Sequence, residues 1–160
     1  MPAQVSTFLW LQDRAVEAAA FYRTVFPEAR EVLVMKPGAA SHAWKKGDII
    51  GVTLDIGGQR ITLFNGGPAA KLTFASSIMV EVDTQSELDR VWDALLSGGG
   101  KPAQCGWLED KFGVSWQIVP KIWTEMLNSA DEDAAAAYIA AMLKMVKFDI
   151  AEIQRAFKGR

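Results

Sequence analysis

The chain has 160 residues, half of them hydrophobic and 22% charged, with a formal net charge of −2. That balance suits one well-buried soluble domain and offers neither a basic stripe for nucleic acid nor a polybasic patch for a membrane surface. Cys105 is the only cysteine, which excludes an intramolecular disulfide framework and a Cys-rich zinc site. No basic-then-apolar leader and no run of about 18 apolar residues occurs, so a reducing cytoplasm is the expected compartment.

In chain order, Thr7–Gln12 is short, apolar and aromatic, which suits a largely buried strand. Asp13 is placed to cap a helix running to about Phe26, with Pro27 as its stop. Arg30–Met35 and Ile49–Ile56 read as strands, and Gly57-Gly58 turns the second of them into Arg60–Phe64. Ser77–Val82 begins the order again, followed by an amphipathic helix over Thr84–Leu96 with Leu88, Val91, Trp92 and Leu95 on one face. The run Gly98-Gly99-Gly100 follows that helix instead of preceding one, so it reads as a helix terminator and not as a phosphate loop. Short strands are expected near Pro102–Trp107 and Val114–Val119, with Asp110-Lys-Phe-Gly113 as the turn between them. From Pro120 onward the pattern is helical, over Ile122–Asn128, Glu132–Lys147 and Ile150–Phe157, the last capped by Asp149. Tyr138, Ile139, Met142, Leu143, Met145 and Val146 are expected to pack on the sheet or across a subunit interface.

The chain repeats itself. An offset of 70 lays Thr7-Phe-Leu-Trp-Leu-Gln-Asp13 on Ser77-Ile-Met-Val-Glu-Val-Asp83, Tyr22 on Trp92 and Val25-Phe26 on Leu95-Leu96. An offset of 55 lays Asp55-Ile-Gly-Gly58 on Asp110-Lys-Phe-Gly113 and Ile61-Thr-Leu63 on Trp116-Gln-Ile118. The difference of 15 residues is taken up by a longer segment between Glu28 and Lys46 in the first copy. Each copy is therefore one β-α-β-β-β unit, 5–66 and 74–120, with 121–160 as a helical extension of a single domain.

Two such units resemble the vicinal oxygen chelate superfamily, which includes glyoxalase I, bleomycin-resistance proteins and extradiol dioxygenases. Phe8-Leu-Trp10, Glu17-Ala-Ala-Ala-Phe-Tyr22, Val25-Phe-Pro27 and Phe64-Asn-Gly-Gly-Pro68 are similar to its PhnB-like branch. So are Cys105-Gly-Trp-Leu-Glu-Asp-Lys-Phe-Gly-Val-Ser-Trp-Gln-Ile-Val-Pro120, the most specific stretch, and Met142-Leu-Lys-Met-Val-Lys-Phe-Asp-Ile150. The resemblance implies an α+β chain whose two βαβββ modules form a curved mixed sheet, the glyoxalase/bleomycin resistance/dioxygenase fold, with a C-terminal helical extension. It also implies a homodimer. Members of this branch often bear the name 3-demethylubiquinone-9 3-methyltransferase, yet the sequence has no glycine-rich strand-to-helix turn followed by an acidic strand end, as the usual site for S-adenosylmethionine requires.

In metal-dependent members of the superfamily, a ligand stands early in each module's first strand and another in its last strand. The resemblance carries these positions onto Thr7, Ser77, Thr62 and Gln117. Three hydroxyls and an amide supply no charge to hold a divalent ion, so no metal and no cofactor are expected. The only histidine, His42, sits in the inserted segment and reads as a loop residue.

Without the metal, what remains is a cup, either open to a small organic ligand or filled by side chains or by the helical tail. Alternation puts Thr7, Leu9, Thr62, Phe64, Ser77, Met79, Glu81, Ser115 and Gln117 on its wall, while Phe8, Trp10, Ile78, Val80, Val82, Trp116 and Ile118 form the core. The expected function is small-molecule binding. The alternative is a metal-independent isomerase or lyase that uses Glu81, whose carboxyl an apolar wall would hold in its neutral form, or Cys105. The ordinary roles of Cys105 and Asp110 are a small buried hydrophobe and a turn-forming acid.

Overall fold

The computed structural model describes residues 3–40 and 43–159, which divide into two units, Met1–Leu72 and Thr73–Arg160. In the first unit the order is β1 (Thr7–Trp10), α1 (Ala15–Val25), β2 (Arg30–Met35), β3 (Gly51–Ile56) and β4 (Gln59–Phe64). The sheet order is β1-β4-β3-β2, with β1 parallel to β4 and the other pairs antiparallel. Gly57 and Gly58 have φ of 59° and 85°, the left-handed pair a two-residue hairpin requires, and Asp55 Oδ1 accepts the Gly58 N–H at 3.0 Å. Helix α1 packs on β3 and β4 through Ala15, Ala18, Ala19, Tyr22 and Val25, and the alanines let it lie close to Leu9, Val52, Leu54, Ile61 and Leu63.

Asp13 does not cap α1. The N-cap is Arg14, without a side-chain cap bond, and Asn65 Oδ1, from just past β4, accepts the Ala15 N–H at 2.8 Å. Asn65 Nδ2 donates in turn to the Ile49 carbonyl, so one amide ties helix, sheet and loop together. Beside it, Trp10 Nε1 donates to the Gly67 carbonyl at 2.7 Å, and the indole lies where a side chain at Gly66 would stand.

The second unit repeats the plan with β5 (Ile78–Val82), α2 (Gln85–Leu96), β6 (Lys101–Pro102), β7 (Trp107–Glu109) and β8 (Ser115–Pro120). Its sheet order is β5-β8-β7-β6, again with the first pair parallel. Thr84 Oγ1 caps α2 by accepting the Glu87 N–H, and Leu88, Val91, Trp92 and Leu95 are buried. Gly98 and Gly99 then take left-handed φ of 78° and 118°, and the Gly100 N–H bonds the Leu96 carbonyl, which is the terminator role the triple glycine suggests.

The extension comprises α3 (Trp123–Leu127), α4 (Glu132–Met142) and α5 (Ile150–Lys158). Helix α4 stops at Met142 instead of running to Lys147. The carbonyls of Met145 and Val146 accept the N–H groups of Cys105 and Gly106, each at 2.8 Å, so this stretch follows the 103–106 loop and leaves the helix. Gln85 fastens the same stretch to α2, with Nε2 donating to the Phe148 carbonyl and Oε1 accepting the Ile150 N–H. Lys147 Nζ lies 2.8 Å from Asp89, and this pairing pulls the Asp89 carboxyl below its usual range and raises the Lys147 ammonium. Tyr138, Met145, Phe148 and Ile153 are buried, whereas Ile139, Leu143 and Val146 stay exposed. No helix among the described residues is long and apolar enough to cross a membrane.

Candidate functional site

Each sheet has one face under its helix and an opposite face, called the open face below although Thr53, Thr62 and Ser115 are buried on it, and the ladder registers assign every strand residue to one or the other. In the second unit Ile78, Val80 and Val82 pair with Trp116, Ile118 and Pro120, and this is the helix-covered side, with Val82, Leu108, Trp116 and Ile118 buried. Met79 pairs with Gln117, and Gln117 with Trp107, so these three share the open face with Ser77, Glu81 and Ser115. Gln117 Nε2 donates to Ser77 Oγ at 2.7 Å, and Met79 is 45% exposed. Glu81 is exposed and its carboxylate accepts the Trp123 indole N–H at 3.1 Å, so it lacks the desolvating wall expected of it. Ser115 Oγ is buried with no partner among the described residues. Trp107 is absent from the wall expected from sequence, because the short β7 carried no clear alternation.

In the first unit the registers divide the residues expected on the wall between the two faces. Thr62 and Phe64 do lie on the open face, but Thr7 pairs with Ile61 and Leu9 with Leu63, which places both on the helix-covered side. Their places are taken by Phe8, opposite Thr62, and Trp10, opposite Phe64, two residues whose pattern suggested core. The cause is a register error of one. Thr7 pairs with Ile61 as Ile78 pairs with Trp116, so β1 answers to β5 at an offset one residue larger than 70. The helices keep the offset of 70, since Arg14 and Thr84 are both N-caps. The first copy thus has one more residue between strand and helix, and a slip of one reverses every side chain in a strand.

The open face of this sheet is aromatic. Phe8, Trp10 and Trp44 stand around Phe64 with ring centroids 5.2, 5.4 and 6.0 Å away. At its floor Thr53 and Thr62, each 8% exposed, share a hydrogen bond of 2.9 Å between their hydroxyls. Phe8 itself is 57% exposed.

The other candidates have structural roles. Cys105 takes a left-handed φ of 59°, its thiol lies 3.7 Å from the Met142 carbonyl, and its N–H holds Met145. Asp110 is 2% exposed: Oδ1 accepts the N–H groups of Phe112 and Val114, and Oδ2 accepts the Trp116 indole N–H at 2.9 Å. It is the turn-forming acid, with a core bond to Trp116 added that spacing alone does not reveal. His42 lies outside the described residues. Among the described residues no three His, Cys, Asp or Glu side chains cluster as a metal site would need.

A family model described as 3-demethylubiquinone-9 3-methyltransferase matches residues 3–119. The chain belongs to that family. It is the PhnB-like branch of the vicinal oxygen chelate superfamily, and the paired βαβββ units are the corresponding glyoxalase/bleomycin resistance fold. A putative 3-demethylubiquinone-9 3-methyltransferase, PhnB protein, from Bacillus cereus is 28% identical, with a TM-score of 0.62 over 74% of this chain and 99% of its own. Protein PA1353 from Pseudomonas aeruginosa is 19% identical, with a TM-score of 0.62 over 74% of this chain and 98% of its own. A fosfomycin resistance protein, FosX, from Listeria monocytogenes, complexed with Mn(II) and sulfate, is 15% identical. Its TM-score is 0.53 over 74% of this chain and 91% of its own, a likeness of fold alone. No curated protein matches the chain.

Proposed function

We propose that this PhnB-like protein binds a small, partly apolar organic molecule on the open faces of its sheets and does so without the divalent ion used elsewhere in the superfamily. The observation that carries the reading is the chemistry of the paired positions on those faces. Thr62 stands opposite Phe8, and Gln117 opposite Met79 and beside Ser77. Hydroxyl, amide, thioether and phenyl groups bring no negative charge, and the carboxylates that share these faces have partners of their own: Glu81 accepts from Trp123, Glu109 pairs with Lys101, and Asp55 accepts from the Gly58 N–H. That donor set does not fit zinc, nickel, manganese or iron. Adding each of these ions to chelator-treated protein is expected to leave its thermal unfolding midpoint unchanged. A saturable rise with one ion per chain would refute the reading.

Methyl transfer has no support beyond the family's name, because the triple glycine ends α2, whereas the usual site for that cofactor needs a glycine-rich turn leading from a strand into a helix. A metal-independent isomerase or lyase acting through Glu81 or Cys105 is the second reading. It is favoured less, since both side chains serve local contacts. Any turnover found in a substrate panel is expected to survive Glu81→Gln, and its loss in a folded variant would revive that reading. We also propose that the protein is a cytoplasmic homodimer, and the exposed Ile139, Leu143 and Val146 on the extension support the self-association alone. Sedimentation velocity showing a monomer at micromolar concentration would remove that part.

A further inference from the structure

The first unit's open face specifies a ligand class more narrowly than the reading on which this inference rests. The registers place two rows across the four strands. One row is Leu33, Thr53, Thr62 and Phe8, and the next is Met35, Gly51, Phe64 and Trp10. Four positions at ordinary strand spacing cover about 14 Å, the breadth of a two-ring molecule. Both ends of the first row are open, with Leu33 52% and Phe8 57% exposed. Gly51 contributes no side chain, and the Met35 methyl from β2 reaches over it into the place a side chain there would take.

The polar floor has a definite hydrogen-bonding valence. Two hydroxyls that share one hydrogen bond use one of their two protons, whichever of them donates. The second proton remains available to a ligand, in a row that also carries Leu33 and Phe8 and lies next to the row of Phe64 and Trp10. A ligand carbonyl can take that proton, and the pair's remaining lone pairs can also accept from a ligand hydroxyl or N–H. A cation is disfavoured, because beyond the threonines the same face ends in Arg30 and Arg60 on either side of Asp55. We infer that the first unit binds a planar aromatic molecule carrying a hydrogen-bond acceptor such as a carbonyl, its rings among Phe8, Trp10, Trp44 and Phe64 and its acceptor on the Thr53–Thr62 pair.

The test is equilibrium dialysis with two matched probes, 2-acetylnaphthalene and 2-ethylnaphthalene, which differ by the carbonyl oxygen. The wild-type chain is expected to hold the acetyl compound about fivefold more tightly, the net worth of one hydrogen bond. The double variant Thr53→Val, Thr62→Val keeps shape and β-branching, and it removes both partners together, so no buried group is orphaned. It should lose the preference and still bind the ethyl compound at least as well. Phe8→Ala, at an exposed position, should weaken both probes. If the double variant keeps the fivefold preference, the acceptor assignment is overturned while binding on this face stands. If neither probe binds the wild-type chain, or Phe8→Ala leaves both unchanged, the binding reading fails for this face as well.

Discussion

Asp110→Ala is expected to lower the stability of the second unit by about 4 kcal/mol, because a buried carboxyl that accepts from Phe112, Val114 and Trp116 is being removed. The backbone N–H groups of Phe112 and Val114 lose their acceptor, and so does the indole N–H of Trp116, a side chain fully inside the core. Asp110→Asn should cost about 2 kcal/mol, since the oxygen that serves the backbone can remain while an amide N–H₂ replaces the oxygen facing the indole donor. Asp55→Ala, at the matching turn of the first unit, loses one exposed bond to Gly58 and should cost under about 1 kcal/mol. Urea unfolding of the three variants checks the order. Equal losses at Asp55 and Asp110 would mean that the Trp116 bond contributes nothing.

Gly106→Ala should be at least as damaging, by about 3–5 kcal/mol, for two reasons that add. Its φ of 75° disfavours any L side chain, and a Cβ there would lie 2.7 Å from the Ile118 carbonyl and 2.6 Å from the Phe148 ring. Relieving the overlap pushes the 103–106 loop away from 145–148, the contact that holds the extension. Hydrogen exchange should therefore quicken over 142–158 before it quickens over β5 and β8. Gly113→Ala is the control: its φ is 83°, but no atom lies within 4 Å of the added methyl, so only the backbone cost of about 1 kcal/mol applies. Uniform exchange behaviour in Gly106→Ala would show that the extension is not fastened through this loop.

The contrast between these two turns shows what the residues disclose in advance. Asp55 and Asp110 sit at the same point of the duplicated pattern, and their turn role is legible from the glycine that follows each. The indole that makes Asp110 part of the core is six residues away, and only the pleat of β8 brings it round. The second unit's open face was legible because Ser77–Val82 alternates and is joined to its helix by the shortest link. In the first unit a single added residue before α1 hid the true phase of β1. Leu9 and Leu11 are core and Phe8 is open, against the usual preference of a large aromatic for the interior. Helix α4 ended early for a similar reason. The helical propensity of 132–147 is real, but bonds from Cys105, Gly106 and Gln85 fix 145–150 on a path that a continued helix would not follow. Asn65 was quoted as part of a motif, and nothing local marks it as the cap of a helix fifty residues earlier.

Whether this scaffold operates without a bound cation is best tested by native mass spectrometry of protein purified without chelators or affinity metal. The mass of the bare polypeptide, or a multiple of it, is the predicted result. One transition-metal ion per chain, lost when Gln117 is replaced by leucine, would contradict it.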